Sequence, residues 1–459
     1  MEHLQTTEKV HDELLLHRRV DLLLRTGKLL VESLADTNRV VRNMKRTAAF
    51  LGIPEEKLHI NVSFTMLMVN VSDGDYSFTK FQRIEGHGVN MTAISAVSKL
   101  SWRAIENDYT LDQYEEELEE IRKRKRNYTP WQVAIGAGFA CGGFCIQFGC
   151  DWVAFLYASI AAIIGMRVRA KCNESGLNHY MGIAIAAFIS TMLAWASTLL
   201  PASWTTTPWH PLLACALFIV PGVPLINFVD DMLDNYIQVG IVRAVNTLLM
   251  VSAMAFGIAF AVKICHIENF FPTISMVPHH TYIEYAIAAA ISAMGFSMIF
   301  NIPRRLLWVV AIGGIIAVCT RNFVNLGPST DNIGLDMGLV IGSFAGSVLV
   351  SLIAIKAVHW FHCPNHVLTI PSVIPMIPGV LMYRMLFGII NMNVESPEQI
   401  SVLMKAIQSG ITSGMVILCI SLGVAIPNIF GRKYIAKEKN KRLKEILAER
   451  KARGKFVEW

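Results

Sequence analysis

Charge is what this sequence has least of. Asp, Glu, Lys and Arg make up 17% of its 459 residues, against about a quarter in a soluble domain. The shortage is confined to the middle of the chain. Residues 131–430 hold 11 basic and 11 acidic side chains, residues 1–130 hold 19 and 20, and residues 431–459 hold 11 and 4. This pattern argues against disorder, collagen-like repetition and nucleic-acid binding. With 53% apolar residues and a mean hydropathy of +0.44, it points to a multi-span membrane protein.

Other absences narrow the chemistry. The nine cysteines include no CxxC pair and sit mostly in apolar runs, as small core residues of spans do. No Walker A loop occurs, which argues against direct ATP drive, and neither HExxH nor GxSxG occurs. His359, His362, Cys363 and His366 crowd one short, proline-broken loop at a span junction and read as no metal site. No cofactor is implied. The polar start and the early Arg18, Arg19 and Asp21 leave no signal peptide.

Residues 1–130 read as a small α+β domain. Leu14, Leu15, Val20, Leu23, Leu24, Leu30 and Val31 recur at helical spacing. A second helix is predicted from Thr37 to Leu51, stopping at Gly52-Ile53-Pro54. Residues 58–71 alternate as one strand, with Tyr76–Ile84 as its hairpin partner across Ser72–Asp75. Helices over 91–106 and 111–126 follow, the last ending in the basic run Arg122–Arg126.

Ten apolar segments come next: 131–149, 152–168, 180–200, 211–229, 241–264, 281–302, 306–321, 335–358, 366–390 and 400–428. Ten spans would put both termini on one side. Arg122–Arg126, Arg167, Arg169, Lys171, Arg304, Arg305, Lys356 and the basic tail fall on one face, and the opposite loops 202–210 and 266–280 hold no Lys or Arg. The positive-inside rule makes that face, and both termini, cytoplasmic. Lys263, Arg321, Arg384 and Lys405 run against the rule.

The spans repeat. Residues 134–165 lie over 286–317 without a gap, Gly143-Phe144 falling on Gly295-Phe296. Tyr180–Phe188 lies over Asp336–Phe344, Pro221-Gly222-Val223 over Pro378-Gly379-Val380, and Arg243–Thr247 over Lys405–Ser409. Five spans repeated once must insert in opposite orientations, so the predicted architecture is a 5+5 inverted repeat: residues 131–272, then 273–430, then a basic tail over 431–459.

Substrates in such folds bind near broken helices at the midplane. Pro221 and Gly222 break the fourth segment, and Pro378 and Gly379 break the ninth. Arg243, Asn246 and Thr247 share a helix face, matched by Lys405, Gln408 and Ser409. A cation beside amide and hydroxyl groups suits a carboxylate-bearing solute. Asn227 and Arg384 join the candidate substrate set, and Asp230 and Asp231 are the candidates for a coupling proton. Three GxxxG stretches, at 138–142, 342–346 and 410–414, permit close helix contact within one chain or between copies in a homo-oligomer.

In this order of features the chain resembles the bacterial threonine/serine exporter family. The likeness rests on Gly27, Asn38-Arg39-Val40, Arg42, Ala48 and Leu51-Gly52 in the head, on Pro221-Gly222-Val223-Pro224, and on Ile377-Pro378-Gly379-Val380. It covers roughly residues 12–428. In some relatives the two halves look like separate proteins, associated with dicarboxylate (succinate) export; here they are fused. The resemblance implies an inner-membrane exporter of small amino or carboxylic acids driven by the proton-motive force. A channel, or a membrane-bound enzyme with the head as catalyst, are the alternatives. The basic tail from Arg432 to Lys455 looks like an addition to the family pattern, suited to a helix on anionic lipid.

Overall fold

The computed structural model describes residues 2–72, 76–199, 201, 203–267, 280–328, 332–361, 363–390 and 397–452. In chain order the elements are α1 (Glu2–Glu32), α2 (Thr37–Phe50), β1 (Leu58–Val62), β2 (Met66–Ser72), β3 (Ser77–Arg83), α3 (Met91–Glu106) and α4 (Leu111–Lys123). The apolar part continues with α5 (Pro130–Gln147), α6 (Trp152–Glu174), α7 (His179–Trp195), α8 (His210–Ala214), α9 (Gly222–Leu233) and α10 (Ile237–Ile264). It ends with α11 (Tyr282–Ile299), α12 (Leu307–Asn325), α13 (Leu339–Phe361), α14 (Asn365–Val373), α15 (Gly379–Ile390) and α16 (Pro397–Ala452). Two compact units result: Met1–Lys125 with Asp230–Arg243 and Ile429–Trp459, and Arg126–Val229 with Ala244–Asn428.

In the first unit the helical periodicity of α1 buries Leu16, Val20, Leu23, Leu24, Leu30 and Val31. Residues 58–71 do not form the single strand expected. They fold as two strands, because Ser63 closes a tight turn: its N–H donates to Met66 O at 2.9 Å and its Oγ accepts from Met66 N at 3.0 Å. The antiparallel order β1-β2-β3 follows, with Val71 opposite Phe78 across the β2–β3 hairpin. The Asp73–Asp75 tip of that hairpin lies outside the described residues. Gly27 lets α1 approach closely, since a Cβ there would lie 2.5 Å from Leu67 Cδ2 and 2.6 Å from Met44 Sδ.

Tyr114 ties α4 to the two first helices. Its hydroxyl lies 3.0 Å from Thr26 Oγ1 and 3.1 Å from Thr47 Oγ1, and its ring stacks on Phe50. The acidic face of α4 pairs inside this unit, Glu115 meeting Arg18 at 3.0 Å and Arg25 at 2.7 Å. The hydrogen bond from Arg18 holds the Glu115 carboxyl below its ordinary range, and Arg25 adds to the effect. Arg442, in the tail portion of α16, pairs with Glu106 of α3 at 2.8 Å.

Among the described residues, seven helices are long and apolar enough to cross a membrane, or nine if each bent pair is one span, against the ten segments expected. The segment outside that count is α5, whose glycines and glutamines lower its hydropathy. Helix α6 extends over 23 residues, beyond the apolar segment 152–168 read from the sequence. Both α5 and α11 begin with a capping box, Thr129 with Gln132 and Thr281 with Glu284, 152 positions apart.

These two helices pack antiparallel with reciprocal contacts. A Cβ on Gly143 would lie 2.5 Å from Ala288 O and 2.8 Å from Ser292 Cβ. A Cβ on Gly295 would strike Gly136 O and lie 2.6 Å from Ala140 N. Adding 152 to Gly136, Ala140 and Gly143 gives Ala288, Ser292 and Gly295. A pair in which i touches j′ and j touches i′ is the signature of a two-fold relation.

The first two GxxxG stretches are spent on packing within the chain. Gly138 and Gly142 face Ser159 of α6, and Gly342 and Gly346 face the α12 backbone at Arg321 and Ala317.

Candidate functional site

The two breaks have the same local construction. Val220 at φ −53°, ψ 122° and Ile377 at φ −64°, ψ 128° are extended, as a residue before proline prefers. Neither Pro221 nor Pro378 has an N–H to continue the ladder. Gly222 N then donates to Val220 O at 2.8 Å, and Gly379 N to Ile377 O at 2.9 Å. The chain bends by 58° between His210–Ile219 and Gly222–Leu233, and by 61° between Asn365–Met376 and Gly379–Leu386.

The breaks meet reciprocally. A Cβ on Gly222 would strike Ile374 Cδ1 and lie 3.0 Å from Ile377 Cδ1. A Cβ on Gly379 would lie 2.6 Å from Leu217 Cδ2 and 3.2 Å from Val220 Cγ2. These partners are again matched, at an offset of 157. A small void at this meeting point is lined by Phe144, Leu217, Val220, Phe296, Ile374, Ile377 and Gly379, all apolar. Phe144 and Phe296 meet edge to face across it, with centroids 5.8 Å apart. The junction has no titratable group in its lining.

The charged candidates gather in the other unit. Arg243 Nε lies 3.3 Å from Asp231 Oδ2, with the side chains 2% and 1% exposed. Arg243 Nη2 donates to Ala35 O at 2.8 Å, and Asp231 Oδ1 accepts from Thr37 N at 2.8 Å. Asp234 accepts from Asn38 Nδ2 at 2.6 Å. Beside them Asp36 caps α2, accepting from Arg39 N at 2.8 Å and Arg39 Nε at 2.9 Å. Arg243, Asp231, Asp36 and Arg39 thus each have a partner of opposite sign or a backbone dipole, as burial requires. His87 stands near: burial pushes its imidazole below the ordinary value, and the charge of Arg243 adds to that.

The remaining candidates scatter. Asp230 is 3% and Asn227 1% exposed. Asn246 does not join Arg243; its Oδ1 accepts from Tyr180 Oη at 2.7 Å. Arg384 is half-buried, and Lys405 and Gln408 are exposed. The two matched faces therefore differ in surroundings. Among the described residues no cluster of three or more metal-ligating side chains occurs, and His362 lies outside them. Sequence reasoning passed over Phe144 and Phe296 as site residues. The signal was present, since they are the one aromatic pair beside matched glycines in the ungapped repeat. It also missed Ala35 O and Thr37 N, which carry no side-chain signature.

Two family models match. One, described as "Putative threonine/serine exporter" (ThrE), covers residues 21–265. The other, described as "Threonine/Serine exporter, ThrE", covers residues 285–430. The chain is similar to the "Probable succinate transporter subunit YjjP" of Escherichia coli (strain K12), 25% identical over 243 residues, 53% of this chain and 93% of that protein. It is 24% identical to the protein of the same title in Klebsiella aerogenes over 240 residues, 52% of this chain and 91% of that protein. No solved structure matches. With one model spanning more than half of its length, this chain belongs to the threonine/serine exporter family.

Proposed function

We propose that this protein is a secondary exporter of small amino acids of the threonine/serine class, working by alternating access and driven by the proton-motive force. The observation that carries the reading is the reciprocal meeting of the two proline-glycine breaks, around the reciprocally packed α5 and α11. Two helices that are antiparallel and two-fold related have their axis perpendicular to both. If they cross a bilayer, that axis lies in its plane, which is the inverted-repeat arrangement of many transporters. On this reading α5, the same length as its mate α11, is the tenth crossing, and both termini are cytoplasmic. One five-span half, 131–272, rocks against the other, 273–430. The Phe144–Phe296 seal then parts to admit solute at Pro221-Gly222 and Pro378-Gly379.

Arg243, Lys405 and Arg384 are the cations offered to a carboxylate, with Asn227, Asn246 and Gln408 as amide partners and Asp230 or Asp231 as the proton carrier. The relatives' titles favour a second reading, export of succinate.

The test is counterflow in proteoliposomes carrying the purified chain, with labelled threonine, serine and succinate under an imposed pH gradient. Trans-stimulated exchange of threonine or serine, faster with the gradient, is expected. Exchange of succinate alone would replace the substrate class. Flux without trans-stimulation would mean a channel.

A further inference from the structure

One of the cations that run against the positive-inside pattern is Arg321, near the end of α12. It lies 17 residues beyond Arg304, about 25 Å along a helix, at the end opposite the basic loops. Among the described residues its guanidinium has no carboxylate partner. Nε and Nη2 donate to Asn322 Oδ1 at 3.0 and 2.9 Å, and Nη2 donates to Gln147 Oε1 at 3.3 Å. The titratable groups that act on it are Tyr285 and Cys319, both neutral at pH 7. A guanidinium carries five N–H donors, and among the described residues nothing accepts from Nη1. Glu284, the acid on the neighbouring α11, is already engaged by Thr281 N–H at 2.9 Å and His280 at 3.3 Å.

Beside this cation stands a second open donor. Gln147 is 7% exposed, its oxygen is spent on Arg321, and among the described residues its Nε2 has no hydrogen-bond partner. A buried amide left in this state forfeits its hydration without compensation, so the arrangement calls for an acceptor. Two adjacent sets of N–H donors, one charged and one buried, are the complement of an oxyanion. The residue 152 positions before Arg321 is Arg169, but the counterparts of Gln147 and Asn322 are Ile299 and Ala170. The amide set therefore belongs to one half alone.

We propose that Arg321 and Gln147 form a carboxylate-binding station for the transported solute, at the end of the membrane unit opposite Arg304; the choice of solute as ligand rests on the exporter reading. A lipid phosphate shares the chemistry, but the buried amide of Gln147 favours a small ligand that can leave the surface.

The station is tested on the detergent-purified full chain by calorimetric titration with succinate and with L-threonine. Wild type is expected to bind at least one of them. R321Q weakens that binding tenfold or more, about 1.4 kcal/mol; R321K weakens it less, and Q147L weakens it three- to tenfold. Unfolding temperatures measured alongside show which variants fold, and R321K and Q147L decide the matter should R321Q fail to. Wild-type affinity in the folded variants, or no binding of either probe by wild type, overturns the proposal. So does a loss confined to co-purifying phosphatidylglycerol, which would assign the site to lipid. Binding by wild type without counterflow in proteoliposomes would sink the exporter reading and leave the station. Counterflow with an unchanged KM in R321Q would do the reverse.

Discussion

Arg243 shows why a buried charge is costly to disturb. Its guanidinium is held by Asp231 and by the Ala35 carbonyl with almost no solvent contact. Removing one ion of such a pair leaves the other desolvated, at a cost of about 3–5 kcal/mol. R243M should therefore lower the thermal unfolding midpoint of the purified protein, read by tryptophan fluorescence, and adding D231N should recover part of the loss. A midpoint equal to wild type in R243M would show the pair to be solvated. His87 gives a pH dependence. Its folded pKa lies below the unfolded value, mainly through burial, so the folded state binds fewer protons in the window between the two. Stability is intact above the unfolded value, near 6.5, and falls as pH drops below it. The midpoint of wild type should fall more steeply than that of H87N between pH 6.5 and 5; parallel curves would clear His87 of the effect.

Helices in this chain owe their close packing to glycines whose Cβ space is already filled. Gly295 faces the α5 backbone, which cannot give way as a flexible side chain can. G295A should separate α5 from α11 and destabilise by about 1–3 kcal/mol. Gly414, from a stretch that looks alike in sequence, has nothing within 4 Å of a built Cβ. G414A should be neutral or stabilise by about 0.5–1 kcal/mol, since alanine is the better helix former. Unfolding midpoints of the two variants side by side decide the point, and equal effects would count against the contact reading. The head elements show the same limit of sequence pattern. Helix α1 was legible from apolar spacing, α2 from its Gly52-Ile53-Pro54 stop and α4 from its basic end, whereas the break at Ser63–Met66 was hidden because alternation continues on both sides of it.

At the scale of the whole molecule, reciprocity is the property that matters. Phe144 and Phe296, 152 positions apart, meet at one apolar junction, and on the proposed reading each half supplies one ring. F144A and F296A should each raise passive leak of labelled threonine in proteoliposomes several-fold and to a similar degree, and the double variant should leak most. A leak from one variant only would break the equivalence of the halves. The apolar lining suits the rocking proposed above, since van der Waals contacts can be remade in a second arrangement without stranding a charge.

The candidate site was legible in part. Proline-glycine breaks can be found in a sequence because they are covalent facts: a missing N–H and a missing Cβ act wherever they fall. The expectation of a repeat came from matched residues that keep their order along the sequence. Apolar spans, head helices, the α+β head and the family likeness all followed from such local properties. Partners across space did not. Only the tertiary structure turned Arg243 toward Asp231 and Ala35 rather than Asn246, left Lys405 exposed, and set Gln147 beside Arg321. A long side chain meets whatever the packing brings within a few ångströms, and no spacing along one helix encodes what a different helix will present.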